Sequence, residues 1–156
     1  MYEQWWERLY TYLHRIIADR DDAYDICQEA FIRLYARGSV PEEPGAWLVS
    51  VANNLLRDRS RTRRRRSRIL LEHRGDVPVG GTVETPDAST EREEIRQQVR
   101  VALDALPLRQ RQVLLLRASG MKYRQIAAAL DMPVTSVGQT LARAMKAFRE
   151  NHRERG

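Results

Sequence analysis

The sequence predicts an all-α protein of two small helical domains joined by a flexible linker, the C-terminal one a helix-turn-helix. Apolar residues recur every three or four positions toward both ends of the chain, which is the period of an amphipathic helix. No stretch of useful length alternates apolar and polar residues as a strand would. Residues 73–90 contain two prolines and several glycines with almost no large apolar side chain, so burial there could not offset the entropy of ordering.

Three helices are predicted before this linker. The first carries an apolar stripe made of Trp5, Leu9, Tyr12, Leu13, Ile16 and Ile17. The second begins after a cap at Asp21 or Asp22 and ends at Gly38. Its apolar stripe consists of Ala23, Ile26, Cys27, Ala30, Phe31, Leu34 and Tyr35. The third starts near Ala46, buries Trp47, Leu48, Val51, Ala52 and Leu55, and continues into an arginine-rich tail.

Four helices are predicted after the linker. Pro107 begins the second of them and Gly120 ends it. A short helix over Tyr123–Leu130 follows, then a turn at Asp131–Pro133. The last helix carries an apolar stripe of Val134, Val137, Leu141, Ala144, Met145 and Phe148.

Composition narrows the class of protein. The net charge is +6, divided into a basic block over 1–74 (+3), an acidic block over 75–94 (−5) and a basic block over 95–156 (+8). Two basic blocks on one chain indicate two nucleic-acid contacts. No apolar run is long enough to span a membrane, no secretory signal is visible, and Cys27 is the single cysteine. We therefore expect a cytoplasmic protein with no cofactor, no metal site and no membrane insertion.

The two short helices around Asp131 have the spacing of a helix-turn-helix, whose second helix can enter the major groove of DNA. If its apolar stripe packs inward, the outward-facing polar residues are Thr135, Ser136, Gln139, Thr140, Arg143 and Lys146. Such side chains can contact base edges and phosphates. The alternative is a plain helical hairpin with a solvated polar face.

An arginine-rich segment follows the third helix, with eight arginines among residues 57–68. Each could neutralise a phosphate, which would make DNA affinity depend on salt. The alternative is a disordered basic tail without a specific site. Because the segment continues the third helix, Asn53, Asn54, Arg57 and Arg61 are expected to share a polar surface near Trp47. That combination suits an unstacked single strand better than a duplex.

An acidic face is predicted on the second helix, opposite its apolar stripe. Asp22, Asp25 and Glu29 lie at positions i, i+3 and i+7, with Gln28 beside them. Such a face could dock a basic partner helix. The residues alone favour an ordinary solvated face.

Taken in order, these segments resemble the extracytoplasmic-function sigma factors of the sigma-70 family. Residues 22–35, DAYDICQEAFIRLY, are similar to the family's D-A-x-D-x-x-Q-E-x-F-x-x-x-W segment, with Tyr35 in place of the usual Trp. The resemblance implies that this helix binds the clamp helices of the polymerase beta-prime subunit through Asp22, Asp25, Gln28 and Glu29. Here it reverses the interpretation of the acidic face as merely solvated.

Two further segments carry the resemblance. Residues 47–58, WLVSVANNLLRD, are similar to the family's W-L-x-x-I-A-x-N-x-x-x-D segment, and residues 106–114, LPLRQRQVL, to its L-P-x-x-x-R-x-V-L. The first implies melting and holding of the minus-ten promoter element. The loop over 38–46 corresponds to the specificity loop that receives a flipped base, and the helix-turn-helix to the minus-thirty-five reader.

The resemblance therefore implies a sigma factor that binds core RNA polymerase, through its beta-prime and beta subunits, and promoter DNA. It further implies an anti-sigma partner, which could hold the protein at the membrane. Sigma region 2 would occupy 1–72, a linker 73–92 and sigma region 4 93–156.

The sequence departs from the family in its last helices. Gly138, Gln139 and Thr140 stand where many relatives have a Lys, a small polar residue and an Arg, so phosphate contacts should be weaker. Asp131 replaces a common turn glycine.

Two other classes of protein fit parts of the sequence. A stand-alone helix-turn-helix regulator would bind duplex DNA without polymerase and would often carry a dimerisation element, which is not evident. A small recombinase or nuclease would need a nucleophile with a base, or carboxylates holding a metal. The acidic face could imitate such a site, but no further ligand is evident. We expect no enzymatic activity.

Overall fold

The computed structural model describes residues 2–74 and 91–155, and every regular element in those ranges is a helix. The N-terminal half comprises α1 (Tyr2–Ile16), α2 (Arg20–Arg37) and α3 (Pro44–Arg74). The C-terminal half comprises α4 (Glu91–Asp104), α5 (Leu108–Ala118), α6 (Tyr123–Leu130) and α7 (Val134–Arg155). The prediction of an all-α fold is confirmed. Most of the predicted linker, residues 75–90, lies outside the described residues.

The ends of α2 follow from one carboxylate and one glycine. Asp19, in an extended conformation, accepts hydrogen bonds from the backbone N–H groups of Asp21 at 2.9 Å and Asp22 at 3.3 Å. The prediction of a cap at Asp21 or Asp22 is therefore wrong, because Asp19 already satisfies their free amides. Gly38 ends the helix with φ +77°, as predicted.

The helix α3 begins at Pro44, two residues before the predicted start at Ala46. A proline suits the first turn of a helix, since its fixed φ is helical and it has no N–H to leave unpaired. The next residue, Gly45, lies against the ring of Trp5 in α1. A Cβ atom at Gly45 would overlap that ring, so only glycine fits without movement.

Helices α1, α2 and α3 pack around a shared apolar core. Its fully buried side chains include Leu13, Ile26, Cys27 and Leu48. The predicted stripe of α2 is buried except for Tyr35, which is 69% exposed and stacks on Tyr2 with 5.8 Å between ring centroids. The burial predicted for Tyr35 is therefore wrong, because this position lies on the outer side of α2.

In the C-terminal half, α7 packs against α4, α5 and α6. Val137, Leu141 and Ala144 of the predicted stripe are buried. Val134 and Met145 are 50% and 45% exposed, so the prediction that these two residues belong to the buried stripe is wrong. Val134 is exposed because it is the first residue of α7. Met145 follows the buried Ala144, and one residue further along a helix is a rotation of about 100°, away from the buried side.

The two halves pack against each other through α6 on α3 and α5 on α1. One apolar core runs through both halves and includes Leu9 and Val49 on one side, and Val113, Ile126 and Leu130 on the other. The C-terminal half therefore covers part of α3 with α5 and α6. No helix in the described ranges is long and apolar enough to cross a membrane.

Candidate functional site

The outer face of α2 presents two of the four side chains predicted to bind polymerase. Asp25 and Gln28 are exposed, whereas Asp22 and Glu29 are half-buried. The carboxylate of Asp22 pairs with Arg63 of α3 and lies 3.4 Å from Nη1 of Arg59. These ion pairs join α2 to the basic segment of α3, so the acidic face and the arginine-rich helix are neighbours.

Large apolar side chains also lie on this face of α2. Tyr24, Ile32 and Tyr35 are 47%, 59% and 69% exposed. Their spacing in the helix puts them on the same side as Gln28. Tyr24 and Ile32 were not predicted to belong to this surface. The signal that could have found them is that both are large apolar residues outside the predicted apolar stripe. Exposed apolar area beside carboxylates is characteristic of protein-binding surfaces rather than of a solvated face.

The start of α3 carries the residues predicted to bind the minus-ten strand. Trp47 is half-buried, and the guanidinium of Arg37 lies 5.6 Å from its ring centroid, a cation–π distance. Asn54 and Arg61 are exposed. These side chains offer an aromatic ring, an amide and guanidinium groups along one side of the helix.

The other two predicted minus-ten residues are covered by the C-terminal half. Asn53 is only 5% exposed, and its Oδ1 accepts a hydrogen bond of 2.7 Å from Nε2 of Gln112 in α5, itself 3% exposed. Arg57 is half-buried and donates to the carbonyl oxygen of Leu130 in α6 at 3.4 Å. Of the polar surface predicted for Asn53, Asn54, Arg57 and Arg61, only Asn54 and Arg61 are therefore exposed, because α5 and α6 pack on the other two.

Gln112 is a functional candidate that sequence reasoning missed. The only sequence signal for it is that this amide directly precedes an apolar run, Val113–Leu116, which is expected to pack against another helix. Because both amides are buried, their hydrogen bond satisfies polar groups that water cannot reach. The loop over 38–46 is also tied to the C-terminal half, since Arg124 of α6 donates to Glu43 at 3.0 Å.

The helix-turn-helix is formed by α6 and α7. Lys122 N donates to Oε1 of Gln125 at 2.9 Å, which fixes the start of α6. Asp131 ends α6 in a left-handed conformation with φ +53°, as its position in the turn predicted. That conformation costs a non-glycine residue about 1 kcal/mol or more. The turn brings α6 and α7 into contact.

The polar side of α7 is largely open. Of the predicted minus-thirty-five residues, Thr135, Gln139, Arg143 and Lys146 are exposed, and Ser136 and Thr140 are half-buried. Gly138 is half-buried, and a Cβ atom there would meet only Tyr123 at 3.6 Å, an ordinary contact. The row of exposed side chains offers an amide, a hydroxyl and two cations along one helix.

Two titratable groups lie in the core of the N-terminal half. Burial raises the pKa of the Cys27 thiol to about 12 and raises that of the Tyr12 hydroxyl as well. Cys27 is fully buried beside the backbone oxygen of Trp6. Both groups stay neutral at physiological pH, so Cys27 behaves as a core residue. No cluster of three or more metal-ligating side chains occurs among the described residues.

Known families match both halves of the chain. Residues 1–66 match sigma-70 region 2, and residues 96–148 match sigma-70 region 4. The RNA polymerase sigma-E factor of Streptomyces coelicolor is 35% identical over 141 residues, covering 87% of this chain and 75% of that protein. The chain belongs to the extracytoplasmic-function sigma factors of the sigma-70 family. The family predicted from the sequence is thereby confirmed.

Other relatives of this sigma factor bear similar names. The RNA polymerase sigma-H factor of Pseudomonas aeruginosa is 31% identical over 145 residues, covering 86% of this chain and 75% of that protein. The ECF RNA polymerase sigma factor SigE of Mycolicibacterium smegmatis is 30% identical over 149 residues, and the chain spans 57% of its length.

A solved structure shares the fold of this sigma factor. It is the sigma factor RpoE of Bartonella quintana in complex with the anti-sigma factor NepR. The superposition gives a TM-score of 0.73 and covers 95% of this chain and 91% of that one, at 20% sequence identity. This likeness establishes the fold.

Proposed function

We propose that this sigma factor binds core RNA polymerase and directs promoter-specific initiation by recognising minus-ten and minus-thirty-five elements. Its work is non-covalent: region 2 (1–72) docks on polymerase and captures single-stranded DNA, and region 4 (93–156) binds duplex DNA. The residues between them, 73–92, set the spacing of the two contacts. The observation that carries this proposal is the match of both halves to sigma-70 regions in the family's order.

The outer face of α2 is the proposed docking surface for polymerase. Asp25 and Gln28 are exposed there beside Tyr24, Ile32 and Tyr35. The carboxylates would pair with basic side chains of a partner helix, and the apolar rings would be buried against it. This combination supports a clamp-helix partner on the beta-prime subunit more strongly than the acidic residues alone.

The exposed side of α3 is proposed to hold the minus-ten strand through Trp47, Asn54 and Arg61, with Asn53 and Arg57 joining once α5 and α6 move away. Melting a few base pairs costs several kcal/mol, which base capture offsets in part.

The open side of α7 is proposed to read the minus-thirty-five duplex through Gln139, Thr140 and Arg143. An anti-sigma protein is a further proposed partner, consistent with the NepR complex of the Bartonella sigma factor.

Charge reversal on α2 tests the docking surface. The double variant Asp25→Lys/Glu29→Lys should lose binding to core polymerase while keeping its helix content, since neither side chain belongs to the core. The matched control is Glu94→Lys/Glu150→Lys, which changes the net charge equally at two exposed positions elsewhere. If the α2 variant bound core RNA polymerase with unchanged affinity, or if the control lost as much affinity, this assignment would be refuted.

A further inference from the structure

A small cavity lies between the two halves, where α3 passes the start of α5. Its volume is about 370 Å³, at the lower end of the range of roughly 300–1,000 Å³ for ligand pockets. The charged side chains that line it are all guanidinium groups: Arg57, Arg61 and Arg64 from α3, and Arg109 from α5. No carboxylate of the described residues lines it. We call these four residues the arginine cleft.

The spacing of the three arginines on α3 aims them at the same place. Arg57, Arg61 and Arg64 lie at i, i+4 and i+7, on one side of the helix. Arg109 approaches from α5. Nη2 of Arg57 and Nη1 of Arg109 donate to the same oxygen, the carbonyl of Leu130, at 3.4 and 3.0 Å. Both are half-buried, so water screens their repulsion only in part.

Three other arginines nearby have a carboxylate partner. Arg59 and Arg63, on the opposite side of α3, pair with Asp22, and Arg111 lies 3.9 Å from Asp104. Within the described ranges, the four arginines of the cleft form no ion pair. A neutral carbonyl oxygen satisfies two of their N–H groups without balancing their charge. The cleft therefore concentrates positive charge that an anion would neutralise.

We propose that the arginine cleft binds a small polyphosphate anion, either inorganic or the phosphate chain of a nucleotide. Guanidinium groups donate two parallel hydrogen bonds to phosphate oxygens, and several phosphates in a chain can engage several arginines together. The size of the cavity suits a short phosphate chain better than a strand of nucleic acid. Because Asn53 and Gln112 also line the cavity, the anion would lie next to their hydrogen bond.

Binding in the arginine cleft would couple to the packing of the two halves. One wall comes from α3 and another from α5, so the complete site exists only while the halves are together. A ligand that binds only one arrangement stabilises it, and the stabilisation grows with the logarithm of the ligand concentration above its dissociation constant. The anion would thus keep Asn53 and Arg57 covered and would compete with minus-ten DNA. This regulation goes beyond the proposed function, because a sigma factor could act without it.

Titration of the full-length protein with inorganic tripolyphosphate tests the proposal. Calorimetry should show one saturable site per chain. Arg109→Gln and Arg64→Gln should each weaken binding by about tenfold, the usual loss for a hydrogen bond between charged groups. The matched control is Arg66→Gln, since Arg66 is exposed on the far side of α3 and does not line the cleft. It should change affinity by less than about twofold if binding is local.

Two further readouts distinguish the ligand source and the mechanism. Titration with a nucleoside triphosphate and with the nucleoside alone separates an inorganic chain from a nucleotide, and binding of either phosphate compound must depend on Arg109. Saturating tripolyphosphate should also slow amide hydrogen exchange in α3 around Asn53. Equal losses in Arg109→Gln and Arg66→Gln, binding that never saturates, or unchanged exchange would overturn the proposal. Since α2 is untouched, polymerase binding reports on the proposed function separately.

Discussion

The side-chain amides of Asn53 and Gln112 are joined by a buried 2.7 Å hydrogen bond between the two halves of the protein. Removing one partner should weaken the packed arrangement selectively. In Gln112→Ala, Oδ1 of Asn53 would be buried without a donor, which costs about 1–3 kcal/mol. Once the halves separate, water supplies that donor. The variant should therefore show faster hydrogen exchange in α3 and tighter binding to single-stranded promoter DNA.

The control for this variant is Gln97→Ala, which removes an exposed amide from α4. It should leave both exchange and DNA binding unchanged. If Gln112→Ala matched this control in both measurements, the hydrogen bond would have no part in covering the minus-ten surface.

Asn54 is exposed in the first half of α3 and is expected to act on melted DNA. In holoenzyme, Asn54→Ala should lower open-complex formation on a duplex promoter. A pre-melted template should restore much of the loss, because melting has already been done. The yield of short transcripts from both templates measures the effect. Equal defects on the two templates would show that Asn54 acts in some other step.

Two variants on the open side of α7 should distinguish contacts to bases from contacts to phosphates. Arg143→Ala should cost roughly 1–3 kcal/mol and relax preference at one position of the site, if its guanidinium reads a base. Lys146→Ala should weaken all sequences alike and reduce the salt slope by about one unit. Binding of holoenzyme to a promoter library at several salt concentrations measures both. Two variants with unchanged sequence preference and affinity would assign this face to something other than DNA.

Gly138 allows propensity and charge to be tested separately. Its added Cβ would meet Tyr123 at 3.6 Å, so a side chain fits. Gly138→Ala and Gly138→Lys should both stabilise the protein by up to about 1 kcal/mol through helix propensity. Only the lysine should also raise affinity for duplex DNA of any sequence. Denaturant unfolding and duplex binding measure the two effects, and equal DNA affinity in both variants would rule out a phosphate contact at this position.

Burial of Cys27 predicts a loss of stability at alkaline pH. The thiol titrates near 9.0 when unfolded and near 12 in the native state. Between these values the unfolded chain binds fewer protons, so the free energy of unfolding should fall as pH rises. Tyr12 shifts in the same direction. Cys27→Ala should show a shallower fall between pH 9 and 12. The same slope in both proteins would contradict the burial of the thiol.

Features that depend on local sequence were largely predictable. Gly38, Pro107 and Gly120 mark helix boundaries through backbone preferences, and the buried stripe of α2 follows from its period, Tyr35 excepted. The cap at Asp19 was missed because three aspartates compete there. The cover over Asn53 could not be predicted, since periodicity shows which side of a helix is polar but not which polar side chain meets another element. The pairing with Gln112 joins positions 59 residues apart.

We propose that this protein acts as a sigma factor on core RNA polymerase. The most direct test is transcription in vitro with purified core and a library of randomised promoters. We expect transcripts only when both proteins are present, from templates sharing two motifs at a fixed separation, and none with Asp25→Lys/Glu29→Lys. Tight, sequence-specific binding to duplex DNA by the protein alone, with no transcripts that depend on it, would contradict a sigma-factor role and indicate a stand-alone regulator.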